Sequence, residues 1–159
     1  MKIWIEVTSG DWGWTGKVHE SSSIKPKRGL KAPASTRYFN LLKNIEPGDM
    51  LLTYLTQSLT SKKEWRGAIV GISTIKNKFF QVSNTIFVDT DSDLEFPDPI
   101  SFSEFKTMQN LSESFKKLVR LSMQNYLSEI SHEDFLLLMK IHQENLVFLE
   151  NNQYSSLLR

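Results

Sequence analysis

One stretch constrains this chain more than any other. Pro47-Gly48-Asp49 is followed by the run Met50-Leu51-Leu52-Thr53-Tyr54-Leu55-Thr56. After a polar break comes Glu64-Trp65-Arg66-Gly67-Ala68-Ile69-Val70-Gly71-Ile72-Ser73-Thr74-Ile75. A Pro-Gly-Asp turn ahead of a β-rich apolar run marks the start of a strand. Two such runs joined by residues 57–63 predict a β-hairpin at the centre of a small sheet. Gly67 and Gly71 lie inside the second run, where glycine marks a bulge or a close backbone approach.

The rest of the chain is consistent with a sheet flanked by helices. Residues 1–7 alternate, with Ile3, Ile5 and Val7 on one side and Lys2, Trp4 and Glu6 on the other, so they predict a first strand. Residues 35–44 suit a short helix capped by Ser35 or Thr36, with Tyr38, Leu41, Leu42 and Ile45 turned inward. Residues 78–88 alternate again, as one long strand or two short ones broken at Ser83-Asn84. Residues 90–99 are acidic and bounded by proline, which predicts a loop around a brief extended piece at 94–96. Ser101-Phe102-Ser103-Glu104 has the spacing of a capping box and starts a helix. Residues 119–127 alternate around Leu121 and Met123 as a last strand. Ser131 caps a final helix running to about Glu150, with His142 on its inner face. We expect one domain over residues 1–150 and a frayed tail or linker over 151–159.

Charge and residue usage narrow the function classes. The net charge is +1 over 159 residues, so no global field announces a polyanion partner. Seven cations (Lys17, Lys25, Lys27, Arg28, Lys31, Arg37 and Lys43) nevertheless fall in one segment with a single acid, Glu20. Such a segment is the usual footprint of phosphate contact, and a solvated basic loop is the alternative. There are no cysteines, which excludes disulfides, thiol nucleophiles and cysteine-based zinc sites. No apolar run reaches 18 residues, so we expect no membrane partner, and a cytoplasmic protein. Glycine-rich phosphate loops and paired metal-binding histidines are missing from the sequence, and no acid–base pair is set by spacing. We therefore expect a binding module with no cofactor and no metal, not an enzyme.

The aromatic residues carry most of the information. Trp12 and Trp14 sit in the polar, glycine-rich stretch Ser9-Gly10-Asp11-Trp12-Gly13-Trp14, unlike a core tryptophan in its apolar run. Trp65 lies between Glu64 and Arg66, and Tyr54 lies mid-strand. Flat rings beside a basic segment suit stacking on nucleobases, worth about 1–3 kcal/mol per base. Lids over the end of a barrel are the other use for them.

Several of these segments together resemble a known family. Gly48-Asp49, Tyr54 and Gly67-Ala68-Ile69-Val70-Gly71-Ile72 are similar to the core motif of EVE domains, members of the PUA-like superfamily related to YTH readers. Pro99-Ile100-Ser101-Phe102-Ser103-Glu104-Phe105-Lys106, then Leu118-Val119-Arg120-Leu121-Ser122-Met123-Gln124, then Glu129-Ile130-Ser131-His132-Glu133-Asp134-Phe135 resemble that family's C-terminal pattern. Tyr54-Leu55-Thr56 stands where the family has Tyr-His-Ser.

The resemblance implies an α+β, PUA-like mixed β-barrel of about five to six strands with flanking helices. It implies a reader of a modified base, methylated adenine or cytosine, flipped into an aromatic pocket. The nucleic acid would be DNA, with the module targeting a restriction system, and in McrB-type restriction proteins a GTPase motor follows such a module. The base-pocket candidates are Ser9, Trp12, Trp14, Asn40, Tyr54, Trp65 and Ser122. The seven cations would hold phosphates. Two alternatives stay open: an RNA-binding PUA-like module, and a small-ligand protein or enzyme using the same pocket. The last would need an acid in the cavity, for which Glu6 and Asp11 are the nearby choices.

Overall fold

A computed structural model describes residues 1–8, 29–56 and 63–159. Its seven strands form one sheet in the order β2-β6-β4-β3-β1-β7, with β5 paired to β6. The strands are β1 (Ile3–Thr8), β2 (Gly29–Pro33), β3 (Met50–Leu55), β4 (Ala68–Ile75), β5 (Phe80–Val82), β6 (Thr85–Ser101) and β7 (Leu127–Ile130). Five helices flank them: α1 (Tyr38–Leu42), α2 (Phe102–Met108), α3 (Glu113–Arg120), α4 (His132–Ile141) and α5 (Gln143–Glu150). The β1–β3 pair is parallel and all others are antiparallel.

The sheet curls into a half-barrel: Lys31 N of edge strand β2 reaches the hydroxyl of Tyr126, just before the opposite edge strand β7, at 3.1 Å. One cluster takes Leu30 and Ala32 from edge strand β2, Leu127 from the opposite edge strand β7, and Trp4, Leu51 and Val88 from strands between. Helix α1 lies against β2 and closes this concave side with Leu42. The larger cluster lies on the convex side, where Ile3, Ile5, Leu52 and Ile72 meet Phe105, Phe115 and Phe135 of the helices. The α+β half-barrel is thus the expected class, with seven strands in place of five or six.

The central hairpin is as expected, with Met50 opposite Thr74 and Leu55 opposite Ala68. Its register slips between Thr53 and Tyr54, whose partners are Gly71 and Ile69. Gly71 therefore sits at a bulge. Gly48 opens β3 with φ of 90°, a backbone that glycine adopts without strain. Asp49 behind it is buried and clamps the start of β1: its carboxylate accepts from Lys2 N at 2.8 Å, Trp4 Nε1 at 3.1 Å and Glu46 N at 3.1 Å.

Five further expectations are corrected. The acidic stretch after Thr90 is not a loop but the second half of β6, which pairs along β4. Between Glu95 and Ile100 it advances five residues while β4 advances only from Gly71 to Ile69, so Pro97 and Pro99 fall in the bulge. Residues 119–127 are not a strand. Ser112 caps α3 by accepting from Phe115 N, and the helix ends in two left-handed residues, Ser122 and Met123. Phe115 and Leu118 recur at helical spacing, and the apparent alternation beyond them is the helix end and its turn.

The final helix is two helices. His142 leaves helical geometry at φ −104° and ψ 76°, and its Nδ1 donates to Asp98 at 2.8 Å. Its Nε2 lies 3.4 Å from Glu104 Oε1, not aligned for a hydrogen bond. Asn145 completes the anchor of α5 on β6: it accepts from Asp98 N at 3.0 Å and donates to Asp98 O at 2.7 Å. Residues 151–159 are not frayed. Tyr154 and Leu157 are buried in the larger core, and His132 Nε2 donates to Leu157 O at 2.6 Å. The caps at Ser101 and Ser131 form as predicted. The N-cap position of α1 is Arg37 rather than Ser35 or Thr36, and Thr36 Oγ1 instead donates to Pro33 O.

Candidate nucleic-acid interface

The half-barrel leaves a gap between its edges. A cleft of about 260 Å³ fills that gap, lined by Glu6 and Thr8 of β1, Gly29, Lys31, Ala32 and Pro33 of β2, Thr36, Tyr38 of α1, and Tyr126 just before β7. Instead of a ladder of backbone bonds, two tyrosine hydroxyls join the sides. Lys31 N donates to Tyr126 Oη at 3.1 Å, and Tyr126 N donates to Tyr38 Oη at 3.0 Å. The two rings meet edge to face, with centroids 5.4 Å apart. Arg37 also donates to Tyr38 Oη at 2.8 Å and bonds Asn125 Oδ1, which pins that side of the cleft.

Glu6 is the charged-type residue inside. Alternation along β1 puts it on the same face as Trp4, and it is 6% exposed. Tyr126 is its hydrogen-bond partner. Because Tyr126 Oη already accepts from Lys31 N, its single hydroxyl proton goes to Glu6. Burial pushes the Glu6 carboxyl from 4.5 up to about 8. The Tyr126 hydrogen bond pulls it down, and the nearby Asp93 of β6 pushes it further up. Burial also pushes the Tyr126 hydroxyl far above its ordinary range, with the Glu6 charge adding to the effect.

The predicted site residues divide sharply. Ser9, Trp12, Trp14, Lys17, Lys25, Lys27 and Arg28 lie outside the described residues. Thr8 and Gly29, the described residues on either side of that segment, both line the cleft. Lys31 lines it too, and Arg37 borders it through Tyr38. Lys43 is the C-cap of the same short helix, its Nζ 4.6 Å from the centre of the Phe39 ring. Asn40 is exposed on α1 and is not among the lining residues. Ser122 is exposed in the turn after α3, not in a strand beside the cleft.

Tyr54 and Trp65 are not brought to the cleft. Tyr54 pairs beside Val7 and packs into the larger core on the convex side, where burial raises its hydroxyl. Trp65 ends a 3-10 turn (Lys63–Trp65) and is buried against Leu55 and Val70. The aromatic residues that line the cleft are Tyr38 and Tyr126. Tyr38 carried a signal, as an inward residue of the predicted helix. Tyr126 carried none, because it fell inside a stretch read as a strand.

Comparison with known proteins identifies the fold. No family model and no curated protein sequence matches the chain. Solved structures do. The protein Atu2648 from Agrobacterium tumefaciens superposes with a TM-score of 0.64 at 15% identity, over 89% of this chain and 92% of its own. Rpa0253 from Rhodopseudomonas palustris gives 0.61 at 17% identity, over 89% and 92%. Human THYN1, in complex with DNA containing 5-methylcytosine, gives 0.60 at 15% identity, over 89% and 97%. At these identities the likeness establishes a shared fold.

Proposed function

We propose that this protein binds DNA and holds a modified base, methylated cytosine or adenine, in the cleft between the sheet edges. The observation that carries the reading is the cleft itself: a gap of about 260 Å³ walled by Tyr38 and Tyr126, with Lys31 among its lining residues. Support comes from its fold, shared with human THYN1, which is bound to 5-methylcytosine DNA. Pockets for drug-sized ligands begin near about 300 Å³, so this one suits a single planar base.

Taking a base out of a duplex costs a few kcal/mol. Stacking on a tyrosine, worth about 1–3 kcal/mol, offsets that cost. A buried methyl contributes roughly 0.8 kcal/mol, only a few-fold in affinity, so the modification cannot be the whole of the selectivity. Lys31, Arg37 and Lys43 would position the strand through phosphates without reading it. Trp12, Trp14 and the other cations of residues 9–28 keep the same roles on sequence grounds alone. Targeting of a restriction system, with a GTPase motor as partner, is the setting that the family resemblance favours.

Glu6 meets the condition set for a small-ligand or enzymatic reading, an acid in the cavity. Proton transfer would need a second group ready to exchange a proton. Among the described residues Glu6 bonds Tyr126, whose hydroxyl burial drives far above neutrality. Tyr126 therefore holds its proton, and Glu6 has no second group bonded to it among the described residues that is ready to exchange one, which favours binding over catalysis.

The test is titration of matched duplexes carrying 5-methylcytosine, N6-methyladenine or no modification. Tighter binding of one modified duplex is expected, with Trp14→Ala removing the preference. Equal affinity for all three, or none, overturns the reading. Tighter binding of a matched RNA favours the RNA alternative.

A further inference from the structure

We propose that Glu6 reads the base: its carboxyl donates to the ring nitrogen and accepts from the exocyclic amino group of a cytosine or adenine edge, and it turns away thymine, uracil and guanine. This rests on the reading of the cleft as a base pocket and names the residue that sets its specificity.

The argument starts from what surrounds the carboxyl. Glu6 is buried on β1, faces the concave side and lines the cleft. Tyr126, from the segment before β7, donates its hydroxyl proton to one Glu6 oxygen. Asp93 of β6 adds negative charge. Tyr38 of α1 shares the cleft, with its hydroxyl occupied by Arg37 and by Tyr126 N. From β2, Lys31 lines the cleft with its side chain exposed to solvent. Among the described residues Glu6 has no ion-pair partner. Burial without a cation favours the neutral acid, and the carboxyl keeps its proton to about pH 8.

The protonation state, together with which oxygen carries the proton, decides which edge fits. A carboxylic acid offers one donor and one acceptor side by side, whereas a carboxylate only accepts. Cytosine presents a ring-nitrogen acceptor next to an amino donor, and adenine does the same. Both close a two-bond ring with a neutral acid. Thymine, uracil and guanine present a ring N–H beside a carbonyl, the same two groups in the opposite order. A free acid would pair with that edge by moving its proton to the other oxygen, so selectivity requires the proton to be fixed; in the same pose a fixed proton meets the ring N–H and the acceptor meets the carbonyl. With Tyr126 donating to one oxygen, the acid's own proton belongs on the other, which leaves it for the ligand. A pocket holding a charged glutamate would select guanine.

The experiment uses the whole chain and fluorescence anisotropy with duplexes that differ at one position, 5-methylcytosine or thymine opposite guanine. Thymine keeps the methyl and inverts the edge. Its mismatch also eases extrusion, so the comparison is biased against the proposal. Wild type is expected to prefer 5-methylcytosine at least about tenfold at pH 6.5, and to lose affinity by about tenfold per pH unit well above pH 8. Glu6→Gln, which fixes the same donor and acceptor, should keep the preference and lose the pH dependence. Glu6→Leu should bind both duplexes alike, with circular dichroism confirming its fold.

If Glu6→Leu keeps the wild-type preference, or if Glu6→Gln loses affinity with pH as wild type does, Glu6 is not the reader. Modification-dependent binding that ignores Glu6 overturns this proposal alone. No binding of any duplex by any variant overturns the base-pocket reading with it.

Discussion

Burying Glu6 has a consequence for the fold that holds whatever the cleft binds. The perturbation is Glu6→Gln, which replaces an ionisable group by a neutral one of the same shape. In the unfolded chain the carboxyl ionises at its ordinary 4.5, and in the folded chain at about 8. Below pH 4.5 both states carry the proton, and the stability of the buried neutral acid is fully present. Between pH 4.5 and about 8 the unfolded chain has lost the proton and the folded chain keeps it. Each pH unit in that window then removes about 1.4 kcal/mol from the folded state. The total reaches roughly 5 kcal/mol at most, a large share of the 5–15 kcal/mol that ordinarily holds a domain together. The glutamine variant escapes this loss. Urea denaturation followed by tryptophan fluorescence, run from pH 4.5 to 9.5 on both proteins, reads the difference directly. Other acids titrate alike in both and cancel. The stability of Glu6→Gln relative to wild type should rise steadily and level off above about pH 8. A difference that stays flat within about 0.5 kcal/mol would mean that Glu6 is ionised and solvated in the fold.

Three further perturbations follow from the same structure. Asp49→Ala leaves Lys2 N, Trp4 Nε1 and Glu46 N without their acceptor, and should cost about 2–4 kcal/mol in urea denaturation; a loss below about 1 kcal/mol would deny the clamp. Gly29→Ala would place a Cβ 2.1 Å from the Val88 carbonyl oxygen, a backbone atom of the paired strand, so β2 must shift. We expect a loss of about 1–3 kcal/mol and weaker binding at the cleft, and an unchanged melting temperature would refute the contact. Tyr126→Phe removes the hydroxyl that lowers the Glu6 pKa and accepts from Lys31 N, so the pH window of the glutamate should move upward and stability should fall by about 1–2 kcal/mol. A window that stays in place would show that the hydroxyl does not bond the acid.

The elements that could be read from sequence are those with a single answer locally. Ser101 and Glu104 satisfy each other's backbone amides within one turn, so their helix start depends on nothing distant. Gly71 marks its bulge because a strand interior has few other uses for glycine. The errors arose where distant partners decide. The stretch 90–99 becomes strand only because β4 is there to pair with it, and a bulge absorbs its two prolines. His142 breaks the last helix because Asp98, far away in sequence, takes its Nδ1–H and because Asn145 grips the same residue. Tyr154 and Leu157 are buried because the helices leave a space for them, which no property of a polar tail announces.

The site shows the same division, and it explains why Glu6 was easier to place than Tyr54. Strand β3 is buried along its whole length, so its apolar run has no alternation from which to assign a side. Tyr54 could then be drawn on either face, and only the parallel register with β1, Val7 beside Tyr54, fixes it on the helix side. Strand β1 does alternate, Lys2-Trp4-Glu6 against Ile3-Ile5-Val7. An isolated strand with that pattern would be given a solvent face carrying Lys2 and Glu6. Trp4 argues against it: so large an apolar ring, 1% exposed in the fold, marks its face as interior. Glu6 lies two residues further along the same face and must be interior as well. A glutamate this buried, with no cation beside it among the described residues, is costly for a fold unless it is kept neutral. The chain bears that cost where the sheet edges fail to meet, beside Tyr126 and facing a cleft of about 260 Å³. A leucine there would leave the Tyr126 hydroxyl proton without its acceptor, so the carboxyl already has one structural use; under the proposed function its second use is to pair with the base that enters the cleft.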